Sequence, residues 1–416
     1  MDKQISFDPP RGMRDFYPAD MVWRNKVFGA FREAGEAAGF EPYDACVVES
    51  YDLLARKSGE EVGDQIYHFF DKSERHIALR PEMTPTLARM VAARQKQLPF
   101  PIKWTTVAQC FRYERMTKGR KREHYQWNLD IIGEESVLAE VEVIGTACSA
   151  LRRMGLSPDD FKVHVSSRAL LGELLAASGI PAEKHAAVFL ALDKRGKIPD
   201  EEIKYILSQG GLDDAGIAKV FEMFAVKGLD ELPDSPAVAN LRELFRLAEI
   251  AGFADCLEFD ISVIRGLSYY TGIVFECFDT AGEFRAIFGG GRYDNLLTTV
   301  GGEPATAVGL GFGDVVVTEL LKARLGENAA REKRGVAVGF MFPEQRDAAV
   351  KLAARLRSEG ERVNLSLRPQ KPKKFFSHAD QGCAAKAVFI GPDDVEKGVA
   401  RIKDLASRTE EELCLG

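Results

Sequence analysis

An arginine-rich hairpin pattern between residues 105 and 133 predicts more about the fold than any other part of the chain. Its centre reads Phe111-Arg112-Tyr113-Glu114-Arg115-Met116-Thr117-Lys118-Gly119-Arg120-Lys121-Arg122-Glu123-His124. Residues 105–115 and 124–133 have the composition of strands, and the polar residues 116–123 predict a loop between them. We expect Arg112 on the first strand, where a guanidinium is poorly solvated unless an anion meets it. Because arginine binds phosphate in a planar, bidentate manner, the hairpin predicts a phosphate site, with a solvated charged tip as the alternative.

The segments around this hairpin predict a mixed domain of helices and strands. Apolar residues recur at helical spacing in four segments, 18–39, 81–95, 136–154 and 314–325, and residues 168–250 are mostly helical. Further strands are predicted at 43–49, 267–278 and 284–288, with Gly289-Gly290-Gly291 as a turn. Since strands cluster between helices, we expect residues 1–325 to form an α+β domain around an antiparallel sheet.

The end of the chain has a different pattern. A polar, linker-like segment at 326–333 precedes residues 334–416, where strands alternate with helices and predict a small α/β domain. From residue 331 onward there are 17 Lys and Arg against 13 Asp and Glu, whereas the preceding 330 residues hold 39 against 50. The C-terminal domain is thus mildly basic and the rest of the chain is acidic, which suggests that the two parts have separate roles.

Composition excludes several classes of protein. With 416 residues, 45% hydrophobic and 29% charged, the chain is neither disordered nor fibrous. No apolar run approaches the roughly 18–20 residues that span a bilayer, and the start lacks the apolar stretch of a secretory signal, so we expect a cytoplasmic protein without a membrane partner. The net charge of −7 excludes nucleic-acid binding over the whole surface but not at a local basic patch. Seven cysteines stand singly, without a Cys-x-x-Cys pair, and predict no metal site.

Two other segments carry residues suited to ligand binding. Glu82 and Thr84 lie at the start of a predicted helix, where they are capping groups or ligands of a substrate ammonium. The segment from Arg265 to Tyr270 places a cation on a turn before Tyr269 and Tyr270, two phenols that pack in a core or line a site.

Taken in this order, the motifs resemble the histidyl-tRNA synthetases, a family of class II aminoacyl-tRNA synthetases. Residues 112–133 are similar to the strand–loop–strand motif 2, and residues 80–84 and 265–270 to the two histidine-specific segments. Residues 289–294 and 309–313 resemble the approach to motif 3, and the likeness covers nearly the whole chain. It implies a class II catalytic domain on an antiparallel sheet, a helical insertion at about 168–250 and a C-terminal domain like the anticodon-binding domains.

The resemblance implies a reaction and a substrate site. L-Histidine and ATP would form histidyl-adenylate, and the histidyl group would then pass to tRNA-His. Three residues would hold the histidine ammonium: Glu82, Thr84 and Gln126. Asp130 and Tyr270, with Tyr269 beside them, would flank the imidazole.

The same resemblance assigns the nucleotide site and the partners. Arg112 and Arg265 would act on the α-phosphate, and Arg120 would bind the outer phosphates together with Mg²⁺. The expected tRNA contacts are Arg115, Lys118, Lys121, Arg122, Lys373 and Lys374. A two-fold homodimer is implied, with the strand near Cys46 at the subunit contact.

The chain departs from the family pattern at several positions. Val316 stands where motif 3 usually has an arginine, and Arg292 or Arg120 is the expected substitute on ATP. Asp130 stands in place of a glutamate, and Cys46 in place of the motif 1 proline. The alternative function is that of a non-catalytic paralogue, either a regulatory subunit of ATP phosphoribosyltransferase or a tRNA-binding regulator.

Overall fold

The protein consists of two compact units, residues 1–326 and 327–416. A computed structural model describes residues 7–55, 65–117, 119–195, 198–263 and 270–415. Each unit has hydrophobic clusters of its own. The two units are therefore described separately.

The first unit is built on an eight-stranded sheet. Its strands in chain order are β1 (Glu41–Pro42), β5 (Ile102–Phe111), β6 (Glu123–Ile132), β7 (Phe161–Ser167), β8 (Leu257–Phe259), β9 (Ile273–Asp279), β10 (Phe288–Arg292) and β11 (Ala307–Gly313). The order across the sheet is β1-β5-β6-β11-β10-β9-β7-β8. All the central pairs are antiparallel, and only the edge strands β1 and β8 pair in parallel. The expected antiparallel sheet is confirmed.

A second, three-stranded sheet of this unit has the order β2-β4-β3. It is formed by β2 (Val48–Ser50), β3 (His68–Phe70) and β4 (His76–Leu79). The strand predicted over 43–49 is wrong, because β1 and β2 are separate short strands in different sheets.

Two further predictions about strands need correction. Arg112 lies one residue beyond β5 rather than on it, although its backbone N–H still donates to the Arg122 carbonyl at 2.9 Å. Gly289-Gly290-Gly291 is part of β10 and not a turn, and the predicted strand 284–288 reaches β10 only at Phe288. Hydrogen-bonded partners on both sides of β10 outweigh the poor strand propensity of glycine.

The two faces of the large sheet differ because successive side chains point to opposite sides. One face carries Trp127 and Phe312, which pack against Phe31 of helix α1 (Pro18–Ala37), with ring centroids 4.6 and 4.8 Å from the Phe31 ring. We call this the core face. Helix α1 also packs against the helix Leu138–Met154.

The opposite face is lined by glycine. In the strand register Gly289 pairs with Gly311 and Gly291 pairs with Gly309, so four glycines lie together at the centre of the sheet. We call the surface formed by these four residues the glycine face. It leaves space beside the backbone for side chains from neighbouring segments.

The remaining helices of the first unit surround these sheets. They are α2 (Thr84–Arg94), α3 (Leu138–Met154), α4 (Arg168–Ala177), α5 (His185–Lys194), α6 (Asp200–Gln209), α7 (Asp214–Ala225), α8 (Pro236–Ile250), α9 (Leu296–Thr299) and α10 (Asp314–Leu325). Helices α4–α8 agree with the helical content predicted for residues 168–250. Several of their residues form a separate hydrophobic cluster that includes Leu175, Leu207 and Phe224.

The second unit is a five-stranded sheet with helices. Its strands are β12 (Val336–Phe340), β13 (Val363–Leu365), β14 (Lys386–Ile390), β15 (Val399–Asp404) and β16 (Glu410–Cys414). The order is β13-β12-β14-β15-β16, with parallel pairs around β12 and antiparallel pairs beyond β14. Helices α11 (Arg346–Ser358), α12 (Pro372–Gln381) and α13 (Pro392–Lys397) complete the expected α/β domain. Among the described residues of the whole chain, no helix has the length and apolar character needed to cross a membrane.

Candidate active site

Glu82 and Thr84 lie where helix α2 begins, beside the glycine face. Both are buried, with 5% and 7% of their surface exposed. The preceding Arg80 is a structural clamp, since its guanidinium donates to the carbonyls of Gln109 and Ala45 at 2.9 Å each. This clamp ties the segment that carries Glu82 to the end of β5.

Arg112 is held next to the same segment. Its Nε donates to the Pro81 carbonyl at 3.0 Å. Burial raises the pKa of the Cys110 thiol to about 12, with smaller effects of Arg80, Arg112 and Glu82. These charged groups therefore lie around the end of β5. Arg112, which is expected to bind phosphate, is thus close to Glu82, which is expected to bind the substrate ammonium.

Arginines converge at the hairpin loop. Arg120 forms an ion pair with the largely buried Glu114, and a tight turn joins its backbone to Thr117. Burial lowers the pKa of Arg120, Glu114 opposes this, and the positive charges of Arg285 and Arg112 lower it further. Arg285 was missed at the sequence level. The available signal was its position four residues before the glycines of β10.

Asp130 and its neighbours form the other end of the site. Asp130 is 2% exposed, and the Tyr293 hydroxyl donates to its Oδ1. Burial raises the pKa of Asp130 to about 7, although the bond from Tyr293 lowers it. A Cβ on Gly309 would lie 2.1 Å from Asp130 Oδ1, so the carboxylate occupies space that only glycine leaves.

Tyr270 and Gln126 lie over two other glycines. A Cβ on Gly291 would be 2.9 Å from the Tyr270 ring, and one on Gly311 would be 2.3 Å from Gln126 Nε2. The glycine face thus brings together Asp130, Gln126 and Tyr270, three of the residues expected to bind histidine.

His124 is a neighbour of Gln126 that the sequence did not assign to the site. Its Nε2 lies 3.4 Å from Gln126 Oε1. Burial lowers the pKa of His124 to about 3, and Arg112 contributes to the shift. A neutral His124 can donate to the Gln126 amide oxygen and orient it without adding positive charge.

Arg292, an expected ATP ligand, binds protein groups in this structure. Its Nε and Nη2 bind the two Glu140 carboxylate oxygens at 2.8 and 2.7 Å. The same guanidinium donates to the carbonyls of Glu134 and Ser136 at 3.1 and 3.0 Å. These contacts engage all three guanidinium nitrogens, so Arg292 is an anchor of β10 here and we remove it from the expected ATP site.

Val316, at the position of the motif 3 arginine, is buried next to the hairpin loop. Val316, in the first turn of α10, is 7% exposed. A Cβ on Gly119 of the hairpin loop would lie 3.3 Å from Val316 Cγ2. At the start of the same helix, Asp314 pairs with Arg14 at 3.0 Å and accepts from the Tyr125 N–H at 2.8 Å.

The remaining expected residues fall into three groups. Arg265, Tyr269 and Lys118 lie outside the described residues. Arg122 is tied into the hairpin, with its guanidinium 3.8 Å from the Tyr113 ring centroid. The residues on the exposed surface are Arg115, Lys121, Lys373 and Lys374. Within the described ranges there is no group of three or more His, Cys, Asp or Glu side chains that could hold a metal ion.

The architecture described above is that of a class II synthetase catalytic domain followed by a separate α/β domain. Residues 12–313 match the family model described as "Histidyl-tRNA synthetase", and residues 335–415 match "Anticodon binding domain". The chain therefore belongs to the histidyl-tRNA synthetase family.

Similar proteins cover almost the full chain. The "Histidine--tRNA ligase, chloroplastic/mitochondrial" of Arabidopsis thaliana is 44% identical over 97% of this chain and 84% of the relative. The "Histidine--tRNA ligase" of Leptospira biflexa serovar Patoc is 37% identical over 98% of this chain and 95% of the relative. The crystal structure of histidyl-tRNA synthetase from Nostoc sp. PCC 7120 has a TM-score of 0.83 at 24% identity, covering 99% of this chain and 97% of that chain, which supports the fold.

Proposed function

We propose that the protein is a histidine–tRNA ligase, which joins L-histidine to tRNA-His through a histidyl-adenylate at the expense of ATP. The observation that carries the proposal is the glycine face. It places Asp130 and Gln126 over glycine backbone on the sheet whose hairpin carries Arg112 and Arg120. This arrangement supports an amino-acid pocket beside a cluster of cations suited to phosphate.

Binding of histidine would use both ends of the pocket. Glu82 and Thr84, with Gln126, would hold the α-ammonium, and Asp130 and Tyr270 would flank the imidazole. The side chains of the proposed pocket are polar and largely buried, so a substrate without the matching donors would leave them unpaired. Sites of this type discriminate against such analogues by a factor of about 10⁴–10⁵ in kcat/KM.

Activation would consist of positioning and electrostatic stabilisation. The histidine carboxylate attacks the α-phosphorus of ATP, the bond to the β-phosphate breaks, and pyrophosphate leaves. Arg112, and Arg265 by its family position, would bind the α-phosphate where negative charge increases. Arg120 would bind the outer phosphates, and Arg285, whose charge acts on Arg120, is the proposed substitute for the arginine absent at Val316.

We propose that Mg²⁺ enters the site with ATP. Magnesium is usually held by substrate phosphates together with one or two carboxylates, so it needs no dedicated protein cage. Glu114 is a carboxylate in this region, although Arg120 pairs with it here. The ion would neutralise charge on the outer phosphates.

The transfer step requires tRNA, which we propose binds both units. A ribose hydroxyl of the 3′-terminal adenosine attacks the histidyl carbonyl, and AMP leaves. Residues 1–325 would be the catalytic domain with its insertion at about 168–250, residues 326–333 a linker, and residues 334–416 an anticodon-binding domain. The proposed contacts are Arg115, Lys118, Lys121, Arg122, Lys373 and Lys374. We further propose a cytoplasmic homodimer, with the region of Cys46 at the contact.

A regulatory paralogue is not proposed as a second function. The match of residues 335–415 to an anticodon-binding domain and the ligases similar over the full chain favour the enzyme.

The test is histidine-dependent exchange of labelled pyrophosphate into ATP, with Mg²⁺ present. We expect exchange with L-histidine and a loss of about 10²–10³ in rate for Arg112→Ala. Arg242→Ala, which removes an exposed arginine paired with Asp234, is the control and should retain normal exchange. Absence of exchange in the folded wild-type protein would contradict the proposed function.

A further inference from the structure

Tyr43 lies on the glycine-face side of the sheet, close to the edge. The register of β1 on β5 pairs Glu41 with Trp104, and the Tyr43 N–H donates to the Thr105 carbonyl at 2.9 Å. Because alternate residues of a strand share a face, Tyr43 lies on the face of Glu41 and Trp104. Trp104 pairs with Asp130 across β5 and β6 and with Glu41 on its other side, so Asp130 lies on this same face, and Tyr43 lies two residues beyond Glu41.

The Tyr43 ring packs where the histidine pocket is proposed. Its centroid is 5.6 Å from the Trp104 ring centroid. It also contacts the hydrophobic cluster of Met83, Ala108 and Cys110, next to Glu82 and Thr84. The phenol therefore lies between the groups proposed for the imidazole and those proposed for the ammonium.

Three buried polar atoms on this face have no hydrogen-bond partner within the part of the chain that the structure describes. They are Tyr43 Oη, Asn128 Oδ1 and Asp130 Oδ2. An unsatisfied buried polar group costs about 1–3 kcal/mol, and such groups are rare in folded proteins. Unpaired polar atoms on one face of the sheet, Tyr43 Oη and Asp130 Oδ2 among them, indicate that a polar ligand completes their hydrogen bonding.

The two groups also act on each other electrostatically. Burial raises the pKa of Tyr43 well above its ordinary value, and the charge of Asp130 raises it further. Tyr43 is therefore a neutral phenol that can donate its O–H, whereas an ionised Asp130 can only accept.

A neutral imidazole matches this pair of atoms. One ring nitrogen carries a hydrogen and donates, and the other has a lone pair and accepts. We propose that Tyr43 is a specificity-determining residue that donates its O–H to the acceptor nitrogen of the substrate imidazole, while Asp130 Oδ2 accepts the N–H of the other nitrogen and Tyr270 contacts the ring without a hydrogen bond to either nitrogen. The inference rests on the proposed function, because it assumes that histidine is the ligand.

The first test is Tyr43→Phe, which removes only the hydroxyl. We expect kcat/KM for histidine in pyrophosphate exchange to fall about 10- to 100-fold, the range expected for loss of one buried hydrogen bond, while KM for ATP stays within about twofold. Tyr205→Phe, on an exposed phenol of α6, is the matched control and should behave as wild type. A Tyr43→Phe variant with histidine kinetics within twofold of wild type would overturn the inference.

A second measurement separates recognition from packing. A pyrrolylalanine keeps the ring N–H but has C–H at the acceptor position. Its affinity for wild type, measured as inhibition of exchange, should be much lower than that of histidine. The ratio of the two affinities should be smaller in Tyr43→Phe, by the same factor by which that variant loses affinity for histidine. Equal losses for both ligands, or a lower melting temperature of the variant, would indicate a structural role and contradict the inference.

Equilibrium binding distinguishes this inference from the proposed function. Calorimetric titration of the full chain with L-histidine should show weaker binding to Tyr43→Phe than to wild type. If wild type binds histidine in this way but catalyses no exchange, the ligase function fails and the role of Tyr43 stands. If wild type does not bind histidine, the inference fails as well.

Discussion

Asp130 shows how a single side chain depends on the backbone beside it. Its carboxylate lies over Gly309, where any side chain would overlap Oδ1, and it accepts a hydrogen bond from Tyr293. Burial keeps its pKa at about 7, near the pH at which a substrate imidazole also changes protonation. A buried carboxylate with one unpaired oxygen is costly for the fold and useful for binding a nitrogen heterocycle.

Asp130→Asn should change how stability depends on pH. The Asp130 carboxyl has a pKa of about 7 in the folded protein and an ordinary value of 3.8. The folded state therefore binds more protons between these values, and this group lowers the free energy of unfolding as pH rises from about 4 to 7. The difference of about three units corresponds to at most about 4 kcal/mol.

Chemical denaturation at several pH values measures this effect. Wild type should lose stability relative to Asp130→Asn across that range. Asp234→Asn, at an exposed carboxyl, is the control and should follow the wild-type profile. Parallel profiles of wild type and Asp130→Asn would show that the carboxyl titrates normally.

Strands and helices of the first unit are joined by a small number of buried polar contacts. Arg292 at the end of β10 forms a bidentate pair with Glu140 in the first turn of α3. The Arg292 carbonyl also accepts the Thr271 N–H at 2.8 Å, directly after Tyr270. This contact between strand and helix therefore also fixes the backbone that follows a proposed histidine-binding residue.

Glu140→Gln should destabilise the fold strongly. It removes the charge that compensates a largely buried guanidinium, and breaking a buried pair in this way costs about 3–5 kcal/mol. Glu243→Gln breaks an exposed pair with Arg246 and should leave the denaturation midpoint nearly unchanged. Urea denaturation followed by circular dichroism compares the two variants, and similar midpoints would contradict the role given to Glu140.

The two units of the molecule differ in charge and in the surfaces they present. The second unit is mildly basic, and Lys373 and Lys374 are exposed in the first turn of α12. The first unit carries the proposed chemistry and most of the negative charge. This division suits an enzyme that activates an amino acid at one place and binds a polyanion over a larger area.

Lys373→Ala/Lys374→Ala should weaken the binding of tRNA-His. If both lysines contact phosphates, the slope of log affinity against log salt concentration should become shallower by about one to two. Filter binding at several salt concentrations measures the slope. Arg346→Ala/Lys351→Ala, also on the exposed surface of the second unit, is the matched control. An unchanged slope in the Lys373/Lys374 variant would exclude these lysines from the contact.

Local patterns along the chain were sufficient for much of the fold. The strand–loop–strand around Arg120 and the helices at the start and after residue 136 follow from hydrophobic spacing, which depends only on near neighbours. Spacing failed for β10, because three successive glycines form a strand only when both neighbouring strands supply hydrogen bonds. The likeness to the family suggested Arg292 or Arg120 as the substitute on ATP, and nothing near Arg292 in the chain indicates Glu140 as its partner.

The order of motifs in the chain was therefore enough to identify the family, the arginine-bearing hairpin and most of the residues proposed to bind histidine. The roles of Tyr43, Arg285 and Arg292 depend instead on contacts between residues far apart in the sequence. Strand register brings Tyr43 to the same face of the sheet as Asp130, and the approach to β10 brings the charge of Arg285 to Arg120. Burial and charge pairing arise only when these segments meet, so the folded chain alone determines which polar atoms are satisfied and which await a ligand.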